Sequence, residues 1–180
     1  MAPTRITIQT SRLLLRGAKE GDAEAFHACF RDLETMNYWS TPPHTSIEQT
    51  ITWVDSMMTG PYNGIFDFVV CVRPEESSDA EPVVIGKAGF WDGKEIGYIL
   101  NRAHWGKGYA SEAFEAILPR YWATEGSADI IKADVDPRNG PSLRLLKKLG
   151  FEVTGTAERT YETHLGWCDS VYLKLRRQKE

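Results

Sequence analysis

Gly106 and Gly108 stand two apart where an apolar run gives way to a helical pattern. They sit in the stretch Glu95-Ile96-Gly97-Tyr98-Ile99-Leu100-Asn101-Arg102-Ala103-His104-Trp105-Gly106-Lys107-Gly108-Tyr109-Ala110-Ser111-Glu112-Ala113. Two glycines let a backbone turn so that successive N–H groups point into one space. A helix starting directly after them adds the positive end of its dipole. The combination holds a phosphate or pyrophosphate with few basic side chains, and Lys107 either supplies a point charge or faces water. Several phosphate loops share this physics. The P-loop pattern fails, because no Ser or Thr follows Lys107. A dinucleotide fold would place the loop early in a long βαβ series, yet Asp129 lies about 20 residues on, where a ribose-binding acid is expected. Spacing alone therefore leaves a nucleotide-binding protein open, along with a tight structural turn that binds nothing.

The elements that must position this loop follow from periodicity. A strand is expected over 6–16, then a helix over 22–33 with Asp22 as its cap. Ser46 and Gln49 match a capping box that opens a second helix to about Met58. Strands are expected over 66–72 and 83–91, with Asp92-Gly93 turning the chain into a strand over 95–101. A helix over 108–124, a strand over 130–134 and a helix over 141–149 ended by Gly150 follow. Strands over 151–161 and 167–175 close one central sheet. The acidic stretch from Arg73 to Pro82 holds two prolines and reads as a loop.

Composition bounds the function. The chain has 180 residues, 42% of them hydrophobic, which fits one domain over 1–180. A net charge of -4 argues against nucleic acid as an obligatory partner, because phosphate neutralisation needs a basic face. Cys29, Cys71 and Cys168 are scattered, with no metal-ligand spacing and no disulfide framework. No metal is expected. Residues 1–9 carry no apolar run of signal-peptide length, and no segment is long enough to span a bilayer, so a cytoplasmic protein without a membrane partner is expected.

Two motifs in sequence order carry a resemblance. One is Trp105-Gly106-Lys107-Gly108-Tyr109-Ala110. The other is Asp136-Pro137-Arg138-Asn139-Gly140-Pro141-Ser142 leading to Lys148-Leu149-Gly150-Phe151. With the opening Ser11-Arg12-Leu13-Leu14-Leu15-Arg16, they make the chain resemble the GNAT superfamily of N-acetyltransferases, in its ribosomal-protein-alanine N-acetyltransferase-like (RimJ/RimL-type) branch. The resemblance implies an α/β GNAT fold, a mixed central sheet of about seven strands flanked by about four helices. It implies acetyl-CoA as cosubstrate, gripped at the pyrophosphate by Trp105, Gly106, Lys107, Gly108, Tyr109 and Ala110, with Ser111 following. Ile99 and Leu100 would pair with the pantetheine amides like an added strand. Asn139 and Ser142 sit where the family contacts the CoA arm. Trp105 departs from the Gln or Arg that many members carry; backbone donors do not depend on that side chain.

The chemistry implied is direct attack of an amine on a thioester. An alkylamine has a pKa of about 10 and a protein N-terminus about 7.7–8.0, so a proton must leave at neutral pH. Glu95 matches the position of a catalytic Glu in many relatives and is the candidate base; its plain alternative is a solvated residue beside a turn. The general acid is a gap: relatives carry a tyrosine where this chain has Leu146, leaving Tyr98, Tyr109, Ser142 and Tyr161 as candidates, with Tyr98 carried as the catalytic one. Cys168 has no cation beside it in sequence and reads as an inert buried thiol. The acceptor is expected to meet Tyr38, Trp39 and His44, plus the loop over 160–167. A peptide or small-molecule amine acceptor and a monomer or homodimer are expected. The competing class is a non-catalytic module that senses acyl-CoA.

Overall fold

A computed structural model describes residues 5–75 and 78–178; Glu76 and Ser77 of the expected acidic loop lie outside the described residues. Among the described residues, eight strands and four helices follow one another in mixed α/β order. β1 (Ile8–Gln9) and β2 (Leu13–Arg16) form a hairpin in the register Ile8↔Leu15. The strand expected over 6–16 is thus broken in the middle. Thr10 causes the break: its hydroxyl accepts the Leu13 N–H at 2.9 Å and its own N–H donates to the Leu13 carbonyl at 2.9 Å, closing a side-chain-stabilised turn.

α1 (Ala23–Phe30) is shorter than expected, and Asp22 does not cap it with its side chain. The Asp22 carboxylate is buried and takes two bonds from the Arg16 guanidinium, at 2.8 and 2.6 Å. A planar bidentate pair satisfies that charge better than a lone helix amide. α2 (Ile47–Thr59) opens on the expected capping box, with Gln49 Oε1 accepting from Ser46 N–H at 3.3 Å and Thr45 N–H at 2.7 Å. β3 (Asp67–Val72), β4 (Val83–Phe90) and β5 (Ile96–Leu100) complete an antiparallel sheet of order β1-β2-β3-β4-β5. The Asp92-Gly93 turn forms as expected: Gly93 has φ +77°, and Asp92 Oδ1 accepts the N–H groups of Lys94 and Glu95 at 2.8 and 2.7 Å.

α3 (Tyr109–Ala123), β6 (Ile130–Val135), α4 (Gly140–Lys148), β7 (Glu152–Thr163) and β8 (Gly166–Arg176) follow. α1 and α2 cover one face of the five-stranded sheet, with Phe26, Phe30 and Val54 over Val69, Cys71 and Ile99. α3 covers the other with Phe114, Ile117 and Tyr121 over Leu15, Phe68, Ile85 and Leu100. Each fully buried side chain of this size contributes roughly 1.5–3 kcal/mol, so the two layers fix the sheet firmly. No helix among the described residues is long and apolar enough to cross a membrane.

The expected single sheet is two. β6, β8 and β7 form a separate antiparallel sheet of that order. The sheets touch at one parallel bridge, Glu95↔Lys132, where the Lys132 N–H donates to the Lys94 carbonyl at 2.8 Å. Beyond it β5 and β6 part. Side chains of Tyr98 on β5 and of Ser142 and Leu146 on α4 occupy the opening instead of a strand-to-strand ladder.

Candidate active site

β5 ends at Leu100, and the Asn101 side chain accepts the Ala103 N–H at 3.0 Å to start a short 3-10 turn, Arg102–His104. Gly106 and Gly108 then adopt φ +71° and +79°, a left-handed conformation that costs other residues energy. A Cβ on Gly106 would meet nothing within 4 Å, so that glycine serves backbone shape rather than close packing. The N–H groups of Gly106, Lys107 and Gly108 donate to no backbone carbonyl among the described residues, and α3 begins directly after them, with the Glu112 N–H on the Gly108 carbonyl at 3.0 Å. Unpaired amides at a helix N-terminus form a nest for an anion. The residues expected to grip a pyrophosphate are therefore brought together in a form that fits one. Ser111 turns away: its hydroxyl donates to Glu115 Oε1 at 2.7 Å and accepts from Lys148 Nζ at 2.7 Å.

The open edge of β5 leads into this loop. The Asn101 N–H donates across to the Ile85 carbonyl at 2.8 Å, so Asn101 faces β4. Backbone groups alternate along an antiparallel strand, which sends those of Ile99 toward β4 and those of Tyr98 and Leu100 into the gap. Of the two residues expected to offer backbone groups there, Leu100 faces the gap and Ile99 does not, while Tyr98 does; the Ile99 side chain packs under α1 and α2. The Trp105 side chain is not a bystander. Its indole N–H donates to the Leu100 carbonyl at 2.6 Å.

Between β5 and β6 lies a cavity of about 120 Å³ that gathers Tyr38, Trp39, Tyr98, Asn139 and Ser142. Asn139 caps α4 by accepting the Ser142 N–H at 3.2 Å. The Tyr98 hydroxyl donates to Ser142 Oγ at 2.7 Å, and burial pushes its pKa up to about 12. Burial, with the Asp136 charge next, also pushes Tyr161 up to about 12. Neither phenol is tuned as a strong acid. Asp134 and Asp136 also line the cavity, as sequence reasoning missed. The alternation along Ile131-Lys132-Ala133-Asp134-Val135 was the available signal for Asp134, since it opposes three buried apolar residues. Asp136 is buried and forked by Arg138, whose Nε lies 2.9 Å from Oδ1. Burial opposes its ionisation, but the Arg138 bonds outweigh that and hold its pKa below the ordinary value.

Glu95 stands at the apex where the sheets touch, half-buried, and does not line the cavity. Alternation puts it on the α1 and α2 side of β5 with Gly97, above which a Cβ would meet nothing within 4 Å. Burial, then the charges of Asp92 and Asp134, raise its pKa. His44 is not brought to the cavity. Its ring packs tilted against Phe30 at 4.9 Å between centroids, its Nδ1 lies 2.8 Å from the buried Thr50 hydroxyl, and its backbone N–H donates to the Phe30 carbonyl at 2.8 Å. It anchors the segment between α1 and α2 rather than lining a site. From that segment the Tyr38 hydroxyl reaches the Arg138 carbonyl at 3.2 Å. Cys168 is buried, but the Arg138 guanidinium lies 3.3 Å from its sulfur, so the absence of a neighbouring cation read from sequence does not hold in space.

Comparison with known proteins agrees with this geometry. The family described as Acetyltransferase (GNAT) domain matches residues 12–152. The uncharacterized N-acetyltransferase p20 of Bacillus licheniformis is 34% identical over 177 residues, covering 93% of each chain. The crystal structure of a GNAT-family acetyltransferase from Bacillus anthracis superposes with a TM-score of 0.77 at 28% identity, covering 95% of this chain and 98% of that one. RimL, a ribosomal L7/L12 alpha-N-protein acetyltransferase solved with coenzyme A, shares the fold at a TM-score of 0.76 and 18% identity, covering 95% and 98%. With a glycine nest continuous with an open strand edge, and the family match running through both, the chain belongs to the GNAT acetyltransferases and is an acetyl-CoA-dependent N-acetyltransferase.

Proposed function

We propose that the enzyme moves an acetyl group from acetyl-CoA to a primary amine by direct attack, with both substrates in the gap between β5 and β6. The observation that carries this is the continuity of the strand-free β5 edge, where the Tyr98 and Leu100 N–H groups meet no neighbouring strand, with the Gly106–Gly108 nest. A pantetheine arm adds along Tyr98 and Leu100 as an extra strand, and the diphosphate falls on the amides that follow. The amine enters beneath Tyr38 and Trp39. Their rings, with Tyr161 and the exposed Asp134 carboxylate, favour a cationic acceptor. RimL, at 18% identity, acts on a protein N-terminus, which keeps a peptide amine in the acceptor class beside small amines.

Glu95 receives the amine proton through a water, since its carboxyl does not line the cavity itself. The Leu100 N–H, aimed into the gap, is placed to hold the oxyanion of the tetrahedral intermediate. The nitrogen–carbon bond forms, the carbon–sulfur bond breaks, and coenzyme A departs as a thiolate with a thiol pKa of about 8.5. No strong acid is then required, which suits a site where Tyr98 is held at about 12. One observation favours the competing reading of an acyl-CoA-sensing module: Leu146, at the position of the relatives' tyrosine, is buried in the core.

Calorimetry with CoA, NAD and ATP, joined to thiol release from acetyl-CoA over a panel of amines and N-terminal peptides, tests both readings. CoA alone should bind, Gly108→Asp should lose that binding while staying folded, and at least one amine should accelerate thiol release. Binding without turnover on any amine supports the sensing module. Undiminished affinity in the Gly108 variant overturns the loop assignment.

A further inference from the structure

The donor loop is gripped from behind by the turn between β1 and β2, and the proposed function makes no use of that contact. Arg12 Nη1 donates to the Lys107 carbonyl at 2.9 Å. Its Nε donates to Glu112 Oε2 at 2.6 Å, and its guanidinium lies over the Tyr109 ring at 4.8 Å from the centroid. A Cβ built on Gly108 would sit 3.5 Å from Arg12 Nη2. Glu112 is on the first turn of α3 and gathers the rest of the turn on its other oxygen. Oε1 accepts from the Thr10 hydroxyl at 2.5 Å, the Arg12 N–H at 3.0 Å and the Ser11 hydroxyl at 3.2 Å. Arg73 steadies the turn in its place by donating to the Thr10 carbonyl at 2.8 Å.

We propose that the Thr10–Arg12 turn is a brace that locks the pyrophosphate loop in its binding shape, with Arg12 and Glu112 as positioning residues for the donor. This rests on the reading of 105–110 as the pyrophosphate site. Gly106 and Gly108 flank Lys107, and glycine gives this stretch more conformational freedom than any other residue would. Such a loop does not hold its own shape. The Lys107 carbonyl and the Gly108 N–H belong to the same trans peptide unit and point in opposite directions. Arg12 draws the carbonyl toward the β1–β2 turn, which turns the Gly108 N–H outward, to the side where an anion approaches. Loss of Arg12 frees that plane to rotate, and the nest pays the ordering cost when the donor binds. A lone ion pair as exposed as Arg12 would contribute little to stability. The brace acts on binding geometry instead.

The test separates grip on the diphosphate from grip on the rest of the donor. Calorimetry gives the Kd for CoA, and thiol release gives kcat/KM for S-acetyl-pantetheine, which lacks the diphosphate. Arg12→Ala is expected to raise the CoA Kd at least tenfold and to leave the S-acetyl-pantetheine rate within twofold of wild type. Arg12→Lys keeps the charge but loses the fork, and should fall between. Glu112→Gln should weaken CoA binding in the same sense, and the double variant Arg12→Ala with Glu112→Ala should be no weaker than Arg12→Ala alone, as expected for partners in one unit. If Arg12→Ala does not fold, Arg12→Lys and Glu112→Gln carry the measurement. A CoA Kd within twofold of wild type in the folded variants, or equal losses on both donors, overturns the brace while leaving the acetyltransferase reading intact. A wild-type chain that does not bind CoA overturns the loop assignment and the brace together.

Discussion

Burial first, and then the charges of Asp92 and Asp134, hold the Glu95 carboxyl above the ordinary carboxylate range. A base in that state is better matched to an ammonium proton near neutral pH than a free glutamate is. It also fails earlier on acidification. The kcat/KM profile should therefore show an acid limb above the usual glutamate pKa of about 4.3. Glu95→Gln should lower the rate by roughly 100-fold, within the usual range for a positioned base, and remove that limb without changing the CoA Kd. An unchanged rate with the limb still present would take Glu95 out of the mechanism. Trp105 shows what a residue's type can hide. In sequence it is a departure from Gln or Arg whose side chain looked dispensable. In space it spends its one donor on the Leu100 carbonyl, at the end of the edge along which the pantetheine is proposed to lie.

Among the elements, α1, α2 and the chain between them form a wall whose connecting segment brings Tyr38 and Trp39 to the cavity. The wall is tied in three places. His27 and His44 both contact the buried Thr50 hydroxyl, at 2.9 and 2.8 Å. Arg102, just after β5, pairs with Asp32 at 3.3 Å and with Glu34. Tyr38 crosses to the Arg138 carbonyl. Burial, then the neighbouring His27, lower the pKa of His44. The sign follows directly. Below the unfolded histidine value of about 6.5, the unfolded chain takes up a proton that the folded His44 resists. The stability present above that pH is lost as pH falls through the lowered value. Thermal unfolding should show Tm dropping between pH 7.5 and 5.5, and His44→Gln should flatten the drop. An identical pH dependence in that variant would remove His44 as its source.

How much of these elements could be read in advance depended on the range of the interactions involved. The Ser46–Gln49 box, the Asp92-Gly93 turn and the Gly150 terminator are decided within a few residues, and all three form where expected. The break at Thr10 and the capture of Asp22 by Arg16 are also local, but each sets a side-chain bond against a backbone pattern that periodicity cannot weigh. Long-range facts were not legible. Arg12 and Glu112 are 100 positions apart, and nothing in either neighbourhood announces the other. The placement of His44 against Phe30 and of Asp134 and Asp136 in the cavity depends on how α1 and β6 pack against the rest. The glycine nest was legible because its chemistry lies in the backbone, where residue type and spacing say most.

At the scale of the whole molecule, two sheets share one seam. The five-stranded sheet carries the donor edge and the β1–β2 turn behind the loop, while the three-stranded sheet carries Asp134 and, through α4, Asn139 and Ser142. A ligand in the gap would touch both, so a donor bound as proposed would serve as mortar as well as reagent. The seam has a further consequence in heavy water. Tyr98 and Leu100 belong to a strand packed on both faces, yet their amides have no neighbouring strand to shield them. They should take up deuterium far sooner than those of Ile99, which β4 protects. Saturating CoA should slow just those two, giving the footprint of an arm laid along β5 as a sixth member of the five-stranded sheet. Equal labelling in the free and CoA-saturated enzyme would mean that the thioester arm lies somewhere other than along this edge.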